Sequence, residues 1–340
     1  MRVYEVAVDV STEVGLGQSL SVAARVCVPD TIPEEPLVCF AFPGGGYNTR
    51  YFTFDMPGSG GGGQAGWHTS RGWIFIACDH LACGSSTRVE DVTEIGWDHL
   101  VAANEATARK LLTRLTDGTI DPDLPAIHSP FTVGLGQSMG GAILILQQGR
   151  HHVFDAVGIL GWSGHHAVSW LPPGTPRPHA RYWGRGMSMG DLTRELHTAV
   201  MPEMAQDERG LPATARGFHF DDVPEEIVLA DLVDYPARRG QLPEWATDVI
   251  PPSAMTMMSP GAVSAEAAMI DQPVFIGVGE RDVCPDPRSE PKAYQQSADV
   301  TLFVCPRMGH MHNFASTREV MWRRVHAWGE SVRALQSATH

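Results

Sequence analysis

The pentapeptide Gly136-Gln137-Ser138-Met139-Gly140 sets a serine between two glycines, after the apolar run Phe131–Leu135 and before the apolar stretch Met139–Gln148. A serine held on a sharp strand-to-helix turn needs small neighbours, because other backbone passes very close. Such a turn lifts the hydroxyl clear of the sheet. The new helix also points its N-terminus at a reacting oxygen, where free N–H groups and the dipole meet developing negative charge. The spacing marks Ser138 as a candidate nucleophile; the plain alternative is a tight turn.

A serine hydroxyl is a weak nucleophile until a base takes its proton, and that base is usually a histidine oriented by a carboxylate. The chain offers both after later strand-like runs. Val274–Val278 leads into Gly279-Glu280-Arg281-Asp282-Val283-Cys284-Pro285-Asp286, and Val300–Val304 leads towards Met308-Gly309-His310-Met311-His312. Asp282 is the preferred acid, with Glu280 and Asp286 as competitors. His310 is the preferred base, with His312 as its rival. The two histidines also read as a metal pair or as surface residues. No acidic residue or cysteine stands beside them, so neither a metal site nor a cofactor is expected.

Negative charge on an attacked carbonyl oxygen needs donors from two places. After the run Leu37–Phe42 comes Pro43-Gly44-Gly45-Gly46-Tyr47-Asn48. Three glycines let backbone N–H groups approach a ligand oxygen, whereas a flexible turn needs only one. The amide of Gly45 or Gly46, joined by that of Met139, is the expected oxyanion hole.

Positioning these groups needs a sheet with helices between its strands. Tyr4, Val6, Val8 and Val10 alternate on one face, as do Leu20, Val22, Ala24, Val26 and Val28, which predicts two antiparallel strands. The apolar runs Leu37–Phe42, Trp73–Cys78, Phe131–Leu135, Ala156–Leu160, Val274–Val278 and Val300–Val304 suit strands buried on both faces. Helical stripes fall between several of them: residues 95–115, with Asn104 its one polar break, then 139–148, and Met321, Val325, Trp328 and Val332 near the end. Ser316 and Glu319 suggest a capping box for that last helix. The alternation predicts an α/β fold, a mostly parallel eight-stranded sheet flanked by helices.

From about His165 to Gly261 the rhythm stops. Prolines, tryptophans and methionines fill this stretch, and so long a structureless loop is unlikely in a compact domain. It reads as an inserted lid or cap with short helices, which divides the chain into 1–164, 165–261 and 262–340. Its aromatic and methionine content suits an apolar cleft roof. Trp170, Trp183, Met187 and Met189 are the candidates there, beside Tyr47 and Trp162 in the core. The plainer alternative is that they only bury the lid's own inner face. Gly161-Trp162-Ser163-Gly164 lacks the spacing of a second elbow and reads as pocket wall.

The 340 residues allow one large domain with an insertion. A formal net charge of −14 argues against nucleic acid or an anionic membrane surface as partner. No apolar run reaches the length of a membrane span, and the acidic N-terminal stretch does not read as a secretory signal. A cytoplasmic location is expected, and a homo-oligomer is compatible. Cys27, Cys39, Cys78, Cys83, Cys284 and Cys305 have no CxxC spacing and read as structural thiols.

On Ser138, Asp282 and His310 in that order, with the glycine loop upstream, the sequence resembles the α/β-hydrolases. Asp79-His80-Leu81-Ala82-Cys83-Gly84-Ser85-Ser86 is similar to that family's D-x-x-G-x-G-x-S segment, with Ala82 in place of the first glycine. Pro43 stands where many esterases of the family have histidine. The resemblance implies a hydrolase acting through an acyl-enzyme on a small-molecule ester, with a bulky or aromatic apolar group suggested by the insertion. A lactone, thioester, amide or carbon–carbon bond as target, acyl transfer, or a silent binding protein are the alternatives.

Overall fold

The computed structural model describes residues 1–57, 60–174, 182–185, 187, 190–192, 194, 206–235 and 241–337. Eight strands form one sheet: β1 (Arg2–Asp9), β2 (Ser21–Val28), β3 (Leu37–Phe42), β4 (Ile74–Cys78), β5 (Phe131–Gln137), β6 (Ala156–Leu160), β7 (Val274–Gly279) and β8 (Val300–Cys305). Their order across the sheet is β1-β2-β4-β3-β5-β6-β7-β8. β2 pairs antiparallel with β1 and with β4, and every other pairing is parallel.

Strand chemistry follows position. β3, β4, β6 and β7 are buried along their whole length, which is why they read as unbroken apolar runs. In β3, Val38, Phe40 and Phe42 enter the core on one face, and Leu37, Cys39 and Ala41 the core on the other. β8 departs from the expectation of burial on both faces. It is the edge strand, and only Cys305 in it is buried. At the rim the covering layers no longer enclose both sides.

The helices of the described residues include α1 (Gly63–Thr69), α2 (Trp97–Thr116), α3 (Met139–His151), α4 (Glu225–Leu232), α5 (Ser264–Met269) and α6 (Arg318–Ser337). α2 and α3 cover one face of the sheet, while Met321, Val325 and Trp328 of α6 pack into the other. α3 is buried from Met139 to Gly149, so its sequence has no polar stripe. The polar break in α2 has a partner: the Asn104 amide lies 3.4 Å from the ring of buried His80. The expected capping box of the last helix does not form. α6 begins at Arg318, one residue too late, and the Ser316 hydroxyl donates to Asp222 at 2.7 Å.

Between β6 and β7, the described residues add no strand to the sheet and instead form short helices, Ala215–Phe218, α4 and Ser253–Thr256 among them. All six cysteines are free and buried. Among the described residues, no helix is long and apolar enough to cross a membrane.

Candidate active site

Ser138 links β5 to α3 with φ 54° and ψ −121°, a positive-φ conformation outside the αL well that strains a residue bearing a Cβ. Two hydrogen bonds pin it. Its N–H donates to Leu160 of β6 at 2.8 Å, and its carbonyl accepts from Ala142 at 3.0 Å. The flanking glycines answer to close backbone contact. A Cβ at Gly140 would stand 2.3 Å from the Phe42 carbonyl oxygen, and one at Gly136 2.5 Å from that of Gly140.

The Ser138 Oγ lies 2.8 Å from His310 Nε2, and His310 Nδ1 lies 2.6 Å from Asp282 Oδ1. A carboxylate only accepts, so Nδ1 carries the ring proton and Nε2 is left to accept from the serine hydroxyl. His310 is held from three sides. Its N–H donates to Gly217 at 2.8 Å, its carbonyl accepts from the Gln137 amide at 3.0 Å, and its ring packs on Phe218 at 5.3 Å.

Asp282 is buried at the end of β7, and each of its oxygens has two donors. Oδ1 accepts from His310 and from the Val283 N–H at 2.8 Å. Oδ2 accepts from the Gly279 N–H at 2.7 Å and from His312 Nε2 at 2.8 Å. Burial pushes the carboxyl up, but the charge and hydrogen bonds of His310 and then His312 outweigh it and hold it well below the usual carboxylate range. The competitors lie elsewhere. Glu280 and Asp286 are exposed, and Glu280 accepts from the Arg307 N–H. His312 stands behind Asp282; the ring nitrogen beside Ser138 Oγ belongs to His310.

The glycine loop runs alongside the serine. A Cβ at Gly44 would lie 3.1 Å from Ser138 Cβ, and one at Gly45 3.5 Å from Met139 Sδ. The loop is braced from below. His80 Nε2 reaches the Pro43 carbonyl at 2.8 Å, Thr247 donates to the Gly46 carbonyl at 2.9 Å, and Asp79 accepts from the Thr49 and Ser85 N–H groups at 2.7 Å each. Met139 opens α3, so its N–H has no acceptor within the helix.

The residues expected against substrate scatter. Tyr47 is fully buried and its hydroxyl donates to Asp231 at 2.7 Å, which places it as a support under the glycine loop. Trp162 is buried beside the elbow, 3.2 Å from where a Gly141 Cβ would be. Trp170 packs on Gly217, behind the segment that receives the His310 N–H. Trp183 is buried and pairs through its backbone with Ser259; Met187 is half-buried, with its N–H on Gly184. Met189 lies outside the described residues. Sequence reasoning missed Gln137, Phe218, Tyr235 and Ile250. Ile250 packs on Gly45, and Tyr235 donates to the Gly45 carbonyl at 3.4 Å. Gln137 stands inside the elbow pentapeptide at a position where the motif leaves the residue type open, and the other three carry no motif. Among the described residues, no three His, Cys, Asp or Glu side chains group as metal ligands would.

Solved structures with this architecture span the whole chain. A proline iminopeptidase from Mycobacterium smegmatis superposes with a TM-score of 0.61 at 16% identity, covering 98% of this chain and 99% of that one. The fold is that of the α/β-hydrolases. A thermophilic esterase from Thermogutta terrifontis has a TM-score of 0.59 at 12% identity, covering 96% and 98% of the two chains. A loop variant of a haloalkane dehalogenase from Bradyrhizobium elkanii has a TM-score of 0.57 at 14% identity, covering 100% and 99%. No family model and no curated protein sequence matches. In this chain Ser138 stands at the turn from β5 to α3.

Proposed function

We propose that this α/β-hydrolase-fold chain is a serine hydrolase that cleaves a carboxylic ester through an acyl-enzyme. The observation that carries the reading is the unbroken hydrogen-bond path Ser138–His310–Asp282, with contacts of 2.8 Å and 2.6 Å. His310 Nε2 takes the hydroxyl proton as Ser138 Oγ attacks the carbonyl carbon. The N–H of Met139 and that of Gly45 or Gly46 receive the oxyanion. His310 then gives the proton to the departing alkoxide oxygen, and Asp282 stabilises the imidazolium in between. Water, activated by the same histidine, releases the acid and restores Ser138.

In this reading residues 165–261 are a lid inserted into a core of 1–164 and 262–340. Phe218, Tyr235 and Ile250 support it, since all three come from that stretch and pack against His310 or Gly45. Their apolar character, with Trp162 on the core side, favours an ester with a bulky or aromatic group. Trp170, Trp183 and Met187 belong to the lid in the same reading.

A fluorophosphonate probe tests the class. The wild-type protein should be labelled at Ser138, with labelling lost in Ser138→Ala and His310→Ala. A folded wild-type protein that stays unlabelled overturns the reading.

A further inference from the structure

Asp282 serves two histidines, and the mechanism above uses only one. His312 is 2% exposed, and its Nε2 lies 2.8 Å from Asp282 Oδ2, the oxygen that His310 does not hold. Because that oxygen only accepts, Nε2 carries the proton of the His312 ring. His312 Nδ1 is buried with no hydrogen-bond partner, so it is the bare nitrogen. His310 shows the opposite tautomer, protonated at Nδ1 and bare at Nε2. The two rings therefore face one carboxylate with one proton each, from different ring positions.

A buried carboxylate with two donors on each oxygen has its charge spread and its plane fixed. We infer that His312 is a positioning residue: its Nε2–H shares the Asp282 carboxylate with His310, fixes the plane of that carboxylate, and limits how strongly it draws a proton onto His310. The inference rests on the triad reading. Without His312, Oδ2 keeps only the Gly279 N–H. The oxygen pair then carries more charge towards His310 Nδ1, and the imidazolium form is favoured. His310 stays protonated to higher pH and serves as base over a narrower range.

The surroundings leave few other groups to blame for such a change. Tyr51 receives the Asn313 N–H at 3.2 Å and lies within reach of the Asp282 charge, and Cys284 follows Asp282 on the same loop. Burial pushes the protons of both more tightly onto them, so neither titrates in the working range. The His219–Asp231 pair lies beyond Phe314, whose ring packs on His219 at 5.6 Å.

The test compares wild type, His312→Ala and His312→Gln in kcat/KM against pH on a p-nitrophenyl ester, with folding followed by circular dichroism. Glutamine carries an N–H2 near the place of the imidazole Nε2. The acid limb of His312→Ala should move up by roughly half to one pH unit, with His312→Gln returning towards wild type. An alanine variant that loses rate with an unmoved limb makes His312 merely structural and overturns the inference. So does a glutamine variant that behaves as alanine does. Should the alanine variant not fold, nitrogen-15 shifts of labelled histidine in the wild-type protein decide. The inference requires an Nε2–H ring at His312 and an Nδ1–H ring at His310, and an Nδ1–H ring at His312 overturns it. Failure of the triad reading is told apart by the fluorophosphonate probe, which would then leave the wild type unlabelled.

Discussion

Gly161 lies against His310: a Cβ at position 161 would stand 3.2 Å from His310 Nδ1 and 3.3 Å from Asp282 Oδ1. Its φ of +57° adds backbone strain to any side chain placed there. Gly161→Ala should therefore act on the His310–Asp282 contact from the far side of the elbow. The expected result is a fall in kcat of about 10- to 100-fold with KM little changed, as for a small misplacement of a catalytic group. Steady-state kinetics check it, and a wild-type kcat would show that the contact yields without loss.

The choice of acid makes a sharper prediction. Asp282→Asn sets a carboxamide between two histidines that both donate, so one of them must meet an N–H2 group. The His310 tautomer that leaves Nε2 bare is then no longer enforced, and kcat should fall by about 10³- to 10⁴-fold. Glu280→Gln and Asp286→Asn remove exposed charges away from His310 and should leave kcat close to wild type. A large loss in Asp286→Asn, with little in Asp282→Asn, would transfer the role.

What the sequence made legible was what local pattern encodes. The elbow glycines, the doubly buried strands and the order of serine, acid and histidine each depend on a few neighbouring residues. The edge position of β8 depends instead on where the sheet ends, which no local run of Val and Leu records. Ser316 reads as a cap, but its hydroxyl finds Asp222, a partner distant in sequence. Phe218, Tyr235 and Ile250 come from the stretch 165–261, which has no periodicity, so only the folded chain brings them to His310 and Gly45. His312 reads as a competitor of His310 because spacing cannot say that one carboxylate has room for two rings.

Asp231 is another residue whose role emerges only in three dimensions. It is completely buried on α4 and accepts from the Tyr47 hydroxyl at 2.7 Å, His219 Nε2 at 2.9 Å and the Trp245 indole at 2.9 Å. The three donors come from the glycine loop and from two parts of the 165–261 stretch. Asp231→Ala removes the acceptor that these donors share and should cost about 3–5 kcal/mol in urea unfolding. Tyr47→Phe removes one hydroxyl and should cost about 1 kcal/mol. Because both changes break the same bond, the double variant should be less destabilised than the sum. An additive double variant would mean that the hydroxyl and the carboxylate act separately.

Asp79 predicts a pH dependence of stability. Its side chain is 1% exposed, and it joins the exit of the glycine loop at Thr49 to the turn at Ser85. Burial pushes its carboxyl up to about 6 from an ordinary 3.8, against the pull of those two N–H groups. The folded chain thus holds this proton more tightly than the unfolded chain. The contribution to stability is complete below the unfolded value and is lost as pH rises through about 6. In Asp79→Asn there is no proton to lose. Wild type should therefore lose about 2 to 2.5 kcal/mol relative to the asparagine variant between pH 4 and pH 7, the part of the linkage that falls inside that window when each pH unit separating the folded from the unfolded value is worth about 1.4 kcal/mol. Urea unfolding of both proteins at intervals across that range measures the difference. A flat difference would mean that the two N–H groups fully offset burial. A difference of opposite slope would mean that they outweigh it, and that the ionised carboxylate strengthens the brace of the glycine loop.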